Sequence, residues 1–322
     1  MATEDELRAP ACGGGGGGAT AIDDLPADVL ALVLRRLDGA SLAAVGCASS
    51  SFHELATDQD TWRGLCLAMW PSVRDALATA GGEDYRALFA DAFPFPESSP
   101  APAESPALTS LPARLVSAVD LLHGDVSIMS RVVETDTSTA WFLGSPFRVD
   151  ALVQEGFTAP SPITPSELTL SWILIDPTTG RAVNASSRRA VAVDRKWLTG
   201  ETVARFTVVL AAGGGGSGVA LDACVTCDDR HGHVREVSLR VEDDEGGGVS
   251  GHDGLAAVAA AMASARRGKG AEAAARRRYE EFVKGKRARK EWNARREGIV
   301  DLCCSGVGAV VFVGFLVMLT FR

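Results

Sequence analysis

The chain has 322 residues, 46 % of them hydrophobic, enough for about two domains and for a core that needs no covalent staples. A formal net charge of −9 argues against general nucleic-acid binding by the whole chain. Seven scattered cysteines (Cys12, Cys47, Cys66, Cys224, Cys227, Cys303 and Cys304) make no disulfide framework and point to a reducing compartment.

Residues 1–22 read as a disordered leader, because the glycine run from Gly13 to Gly18 has nothing to bury. Glu4, Asp5 and Glu6 stand where a secretory signal would carry basic residues, and no apolar region follows them. Residues 23–93 read as helical. Pro26 lacks an N–H donor, which suits the first helical turn, and Asp28 suits the positive end of that helix. Leu25, Val29, Leu30, Val33, Leu34 and Leu37 share one face of a 3.6-residue period. Asp38-Gly39 stops this helix, and Ser41 is placed to cap a second that carries Leu42, Val45, Cys47 and Ala48. Ser51, Phe52 and Leu55 open a third. Asp60 is placed to cap a fourth, with Trp62, Leu65 and Met69.

Periodicity alone is equally satisfied by a generic helical bundle. The ordered set Leu25-Pro26-x-x-Val29-Leu30, Leu37, Ser41-Leu42, Val45, Cys47, Leu55-Ala56-x-Asp58, Trp62 and Leu65 nevertheless resembles the F-box motif over about Asp23–Cys66. The continuations "LCLAMWPSVRDAL" and "SPFRVDAL" look like those of a plant F-box subfamily with an uncharacterised C-terminal region. The resemblance implies a three-helix module that docks on a Skp adaptor, and through it on a cullin scaffold. By that analogy Leu25 and Pro26 begin the adaptor contact. Val29, Leu30, Leu34, Leu42 and Val45 divide between the interface and the module's own core, and Trp62 closes the far end. One stretch departs from the motif: "ASSSF", Ala48–Phe52, stands where F-boxes commonly carry a basic residue and a tryptophan.

A Pro/Ser/Ala-rich linker at residues 94–112 separates these helices from a β-rich region at 113–245. Leu168–Asp176, Ala190–Val193, Ala204–Leu210, Val219–Thr226 and Val234–Val241 favour strand, and Trp141–Leu152 reads as a further strand or a packed loop. Short strands between turn signals predict an antiparallel sandwich or barrel. Gly213–Gly216 reads as a flexible hairpin insertion; it lacks the Lys and Ser/Thr of a phosphate loop.

Cys224 and Cys227, followed by His231 and His233, admit two readings. One is a zinc site, whose spacing does not fit the usual fingers. The other is a hairpin that puts the two cysteines on opposite faces of one strand. No arrangement of His, Ser or acids supports catalysis, and no cofactor or metal is expected.

Asp253 is placed to cap an Ala-rich helix over Leu255–Ala265. The basic segment at 253–298 then carries ten Lys and Arg against five Glu between Ala271 and Gly298. Its "KGKRARK" run reads as a nuclear-import signal, an anionic-lipid patch or a solvated helix face. Leu302–Phe321 has no charge and reads as a transmembrane tail anchor, with Leu302, Val310, Val311, Phe312, Phe315 and Leu316 facing lipid and Cys303 and Cys304 placed for palmitoylation. The alternative is a C-terminal helix packed in the core.

The expected architecture is therefore α+β: a three-helix module, an antiparallel β-rich target-binding domain, and C-terminal helices ending in a membrane span. The expected function is that of a non-catalytic, membrane-tethered substrate receptor of a Skp-cullin-F-box ubiquitin ligase, single-pass with its N-terminus cytosolic. Two alternatives accompany it: an anchored protein that binds a Skp adaptor without a ubiquitination role, and an enzyme in the β-rich domain. The location without an anchor would be cytosol or nucleus.

Overall fold

The computed structural model describes residues 25–93, 111–158, 163–210, 218–228, 233–263 and 271–320, with side chains described throughout except at 154–158, 271–275 and 297–310. The expected leader, most of the linker, Gly213–Gly216 and His231 lie outside the described residues. The chain divides into two compact units between Thr61 and Trp62.

The first unit holds α1 (Ala27–Leu34), α2 (Gly39–Val45) and α3 (Ser50–Ala56), with α3 packed on both others. Pro26 is the N-cap of α1, as its missing donor allows. The carboxylate of Asp38, not Ser41, caps α2 by accepting from the Ser41 N–H at 2.7 Å, a bond that holds its pKa below the ordinary value. Ser49 caps α3 through the Phe52 N–H, so the divergent "ASSSF" stretch makes the α3 start and buries Phe52. α2 and α3 approach closely at Gly46, where an added Cβ would lie 3.0 Å from that of Ala56. The His53 Nδ1–H closes the same corner on the Gly46 carbonyl at 3.2 Å. Asp58, not Asp60, caps the next helix, α4 (Gln59–Met69), accepting from the Thr61 N–H and hydroxyl.

In the second unit the rest of α4 is followed by α5 (Val73–Ala80) and α6 (Tyr85–Ala92). Trp62, Trp70 and Phe93 gather around Phe89, with centroid distances of 5.2, 5.8 and 5.0 Å. Among the described residues, ten strands then form two five-stranded antiparallel sheets. The first runs β2 (Val126–Asp136), β1 (Arg114–His123), β4 (Leu168–Ile175), β5 (Ala182–Asn184), with β6 (Arg188–Arg189) also on β4. The second runs β3 (Arg148–Thr158), β10 (His233–Glu242), β9 (Val219–Asp228), β8 (Glu201–Leu210), β7 (Ala192–Arg195). Their facing sides share one core: Val119, Trp172 and Leu174 from the first sheet, Phe206, Leu221 and Leu239 from the second. The antiparallel sheet domain stands as expected. Trp141–Leu152, however, splits into a short helix, α7 (Ala140–Gly144), capped by Thr139, and then the start of β3.

β1 and β4 are buried on both faces, because α5 and α6 cover the outer side of the first sheet. Two carboxylates fix that cover. Asp91 of α6 takes Arg181 in a bidentate pair at 2.7 and 3.1 Å and the Ala182 N–H at 3.0 Å. Asp120 of β1 accepts from the Ser72 N–H and hydroxyl and from the Ser130 hydroxyl. Burial nevertheless wins, and its pKa lies above the ordinary 3.8. The folded carboxyl therefore keeps its proton to higher pH than the unfolded one. Its contribution is most favourable below pH 3.8 and is lost as pH rises through the folded value. Asp120→Asn is expected to remove this fall from the pH profile of chemical denaturation. Asp120→Ala, which unpartners the Ser72 N–H, should cost about 1–3 kcal/mol.

α8 (Gly251–Ala263) buries Leu255, Val258 and Met262 in the shared core. Its cap is Ser250, whose hydroxyl accepts from the Asp253 N–H and donates to the Asp253 carboxylate, so Asp253 sits three residues in rather than acting as the cap.

The last helix corrects the membrane reading. The basic stretch from Ala271 onward and the apolar tail form one continuous helix, α9 (Ala271–Thr320), and among the described residues no helix is long and apolar enough to cross a membrane. Val311, Phe312, Phe315 and Leu316 are exposed along it. The side chains of Leu302, Cys303, Cys304 and Val310, expected as anchor and palmitoylation sites, lie outside the described residues. The single-pass, tail-anchored assignment is therefore withdrawn.

Candidate functional site

α1 and the turn that leads into it carry two apolar stripes, not one. Leu30 and Leu34, four apart, are 5 and 4 % exposed and belong to the core of the first unit with Leu42, Phe52 and Ala56. Leu25, Val29, Leu32 and Val33 follow a second i, i+4, i+7, i+8 line and stay in solvent at 42, 42, 62 and 50 % exposure. Pro26 is exposed beside Leu25. The result is a preformed apolar ridge on a short, capped helix, the kind of contiguous exposed surface that marks a protein partner.

The predicted docking residues therefore separate. Leu25, Pro26 and Val29 lie on the ridge; Leu30, Leu34 and Leu42 are interior, and Val45 is half-buried. Trp62 is 2 % exposed, its ring against Phe89, and serves as a core side chain of the second unit. Leu32 was not picked out from the sequence and Val33 was not assigned to docking. Their signal was present as an apolar arc too wide for a single buried face.

Cys224 and Cys227 lie on opposite faces of β9. Cys227 is in the core between the sheets, while the Cys224 thiol donates to Asp222 on the outer face, and burial raises its pKa. Two ligands so divided cannot share one ion. Among the described residues no three His, Cys, Asp or Glu side chains converge on a metal position.

A family model for the F-box-like domain matches residues 22–68, which span the ridge and the helices that support it. Three curated Arabidopsis thaliana proteins are similar along nearly the whole chain. The probable F-box protein At2g36090 is 38 % identical, covering 90 % of each chain. F-box protein At3g44326 is 34 % identical over 93 % of this chain and 90 % of its own, and F-box protein At2g27310 is 35 % identical over 91 % and 94 %. No solved structure matches. The similarity extends through both sheets and is not confined to the N-terminal motif, so with its helical module and its sheet domain alike this chain belongs to the F-box protein family.

Proposed function

We propose that the chain is a non-catalytic substrate receptor of a Skp-cullin-F-box ubiquitin ligase. The carrying observation is the solvent-exposed ridge Leu25, Pro26, Val29, Leu32 and Val33. It docks on the Skp adaptor, with Leu30, Leu34 and Leu42 holding α1 rigid from beneath. A rigid proline-led turn loses little entropy on binding, so most of its apolar burial is kept as affinity. The sheet domain carries the surface that engages the protein target, and the adaptor links both to the cullin. The family's general role as ligase receptors supports this reading.

The test is reconstitution. The full chain, a purified Skp adaptor and a cullin N-terminal region should co-elute as one complex in size-exclusion chromatography. Elution of the adaptor–cullin pair without the chain would overturn the proposal.

A further inference from the structure

α9 lies across the outer face of the second sheet, and its manner of contact differs from that of α8. Leu255 and Val258 of α8 are wholly buried, whereas no described residue of α9 between 276 and 296 is. Arg278, Tyr279, Phe282, Val283, Lys286 and Arg289 form its inward, half-buried side. Beneath it the sheet is polar. Arg205 pairs with Asp222 and reaches Asp194 at 3.6 Å, and Thr207 donates to Asp222 at 2.6 Å. Farther across, Arg148 and Arg240 serve Asp150 and Glu236.

Two further acids, Glu242 at the end of β10 and Asp244 just beyond it, take their counter-charges from α9. Lys286 Nζ meets Glu242 at 2.9 Å, and Arg289 meets Asp244 at 3.1 Å and the Asp244 carbonyl at 2.9 Å. The Lys286 stem runs directly over Gly246, where φ is +86° and a side chain would collide with it.

We propose that α9 is a detachable strap that occupies, in cis, a docking surface for a basic helical segment of a partner protein. The seat is matched in charge to a basic helix, and α9 shows the pose. The attachment rests on two ion pairs whose basic ends stay 32 and 42 % exposed and on half-buried side chains, a contact that salt screens and local opening releases. This proposal does not depend on adaptor docking, and either can fail alone.

Cys224 reports the opening. It is buried on the strapped face, while Cys227, three residues along the same strand, is buried in the core. Maleimide labelling of the full chain, mapped by mass spectrometry, reads both at once. Raising NaCl from about 0.05 to about 0.5 M should speed labelling of Cys224 roughly severalfold and leave Cys227 unchanged. Lys286→Glu with Arg289→Glu should speed Cys224 by about ten-fold. A peptide of residues 276–296 should then bind that variant at least about ten-fold more tightly than the unsubstituted chain, and a scrambled peptide should not. Unmoved Cys224 labelling in salt, parallel acceleration of both cysteines, or equal peptide binding to the two chains would overturn the strap. If the double variant fails to fold, the salt series on the unsubstituted chain decides.

Discussion

Gly251→Ala is expected to destabilise the sheet-bearing unit by about 3 kcal/mol or more, among the largest effects of any single methyl group in this chain. An added Cβ would overlap the carbonyl oxygen of Phe142 and lie 3.1 Å from its ring. The collision is with backbone, and the backbone is held: the Gly251 N–H donates to the Ser145 carbonyl at 2.7 Å, and the Phe147 N–H donates to Val249 at 2.8 Å. One turn on, Gly254 leaves only 2.8 Å between a Cβ and that of Phe147. The start of α8 is therefore seated by two glycines, and relief requires moving α8 off the core it shares with both sheets. Gly64→Ala is the control. It lies exposed inside α4 with nothing within 4 Å, so it should gain roughly 0.5–1 kcal/mol from helix propensity. Urea denaturation of both variants measures the contrast. A Gly251→Ala chain within about 0.5 kcal/mol of the unsubstituted one would show that α8 is not seated this way.

Much of this architecture is written in local pattern. β4, β8, β9 and β10 stand where bulky residues cluster between turn signals, and Cys224 and Cys227 divide as strand alternation requires. β1 was harder to see. Ser117 and Asp120 interrupt its apolar run, and their burial depends on helices and a sheet that the local sequence does not display. Caps were misplaced by two or three residues at Asp38, Asp58 and Ser250. Each lies beside a second polar residue of equal propensity, and only the turn geometry decides which one accepts the bond.

The apolar tail misled for a different reason. A charge-free run reads as a span by composition, yet it continues the basic helix without a break, and among the described residues no helix is long and apolar enough to cross a membrane. On α1 the sequence shows that the helix is apolar, but not which of its two stripes the module keeps. That choice is made where α1 packs on α3, itself packed on α2: Leu30 and Leu34 are buried, and Leu25, Val29, Leu32 and Val33 stay outside.

The account stands on that ridge, and calorimetric titration of the full chain with a purified Skp adaptor tests it most directly. The unsubstituted chain should bind one adaptor. Leu25→Ala with Pro26→Ala should weaken binding by about two orders of magnitude, since each apolar side chain newly buried in an interface is worth roughly 1.5–3 kcal/mol. Both residues are exposed in the free chain, so the thermal unfolding midpoint should not move. Leu32→Asp, on the same ridge at 62 % exposure, should weaken binding as well, again with the fold unaffected. Affinities equal to that of the unsubstituted chain in both variants, with unfolding unchanged, would contradict the assignment of α1 as the adaptor-docking surface.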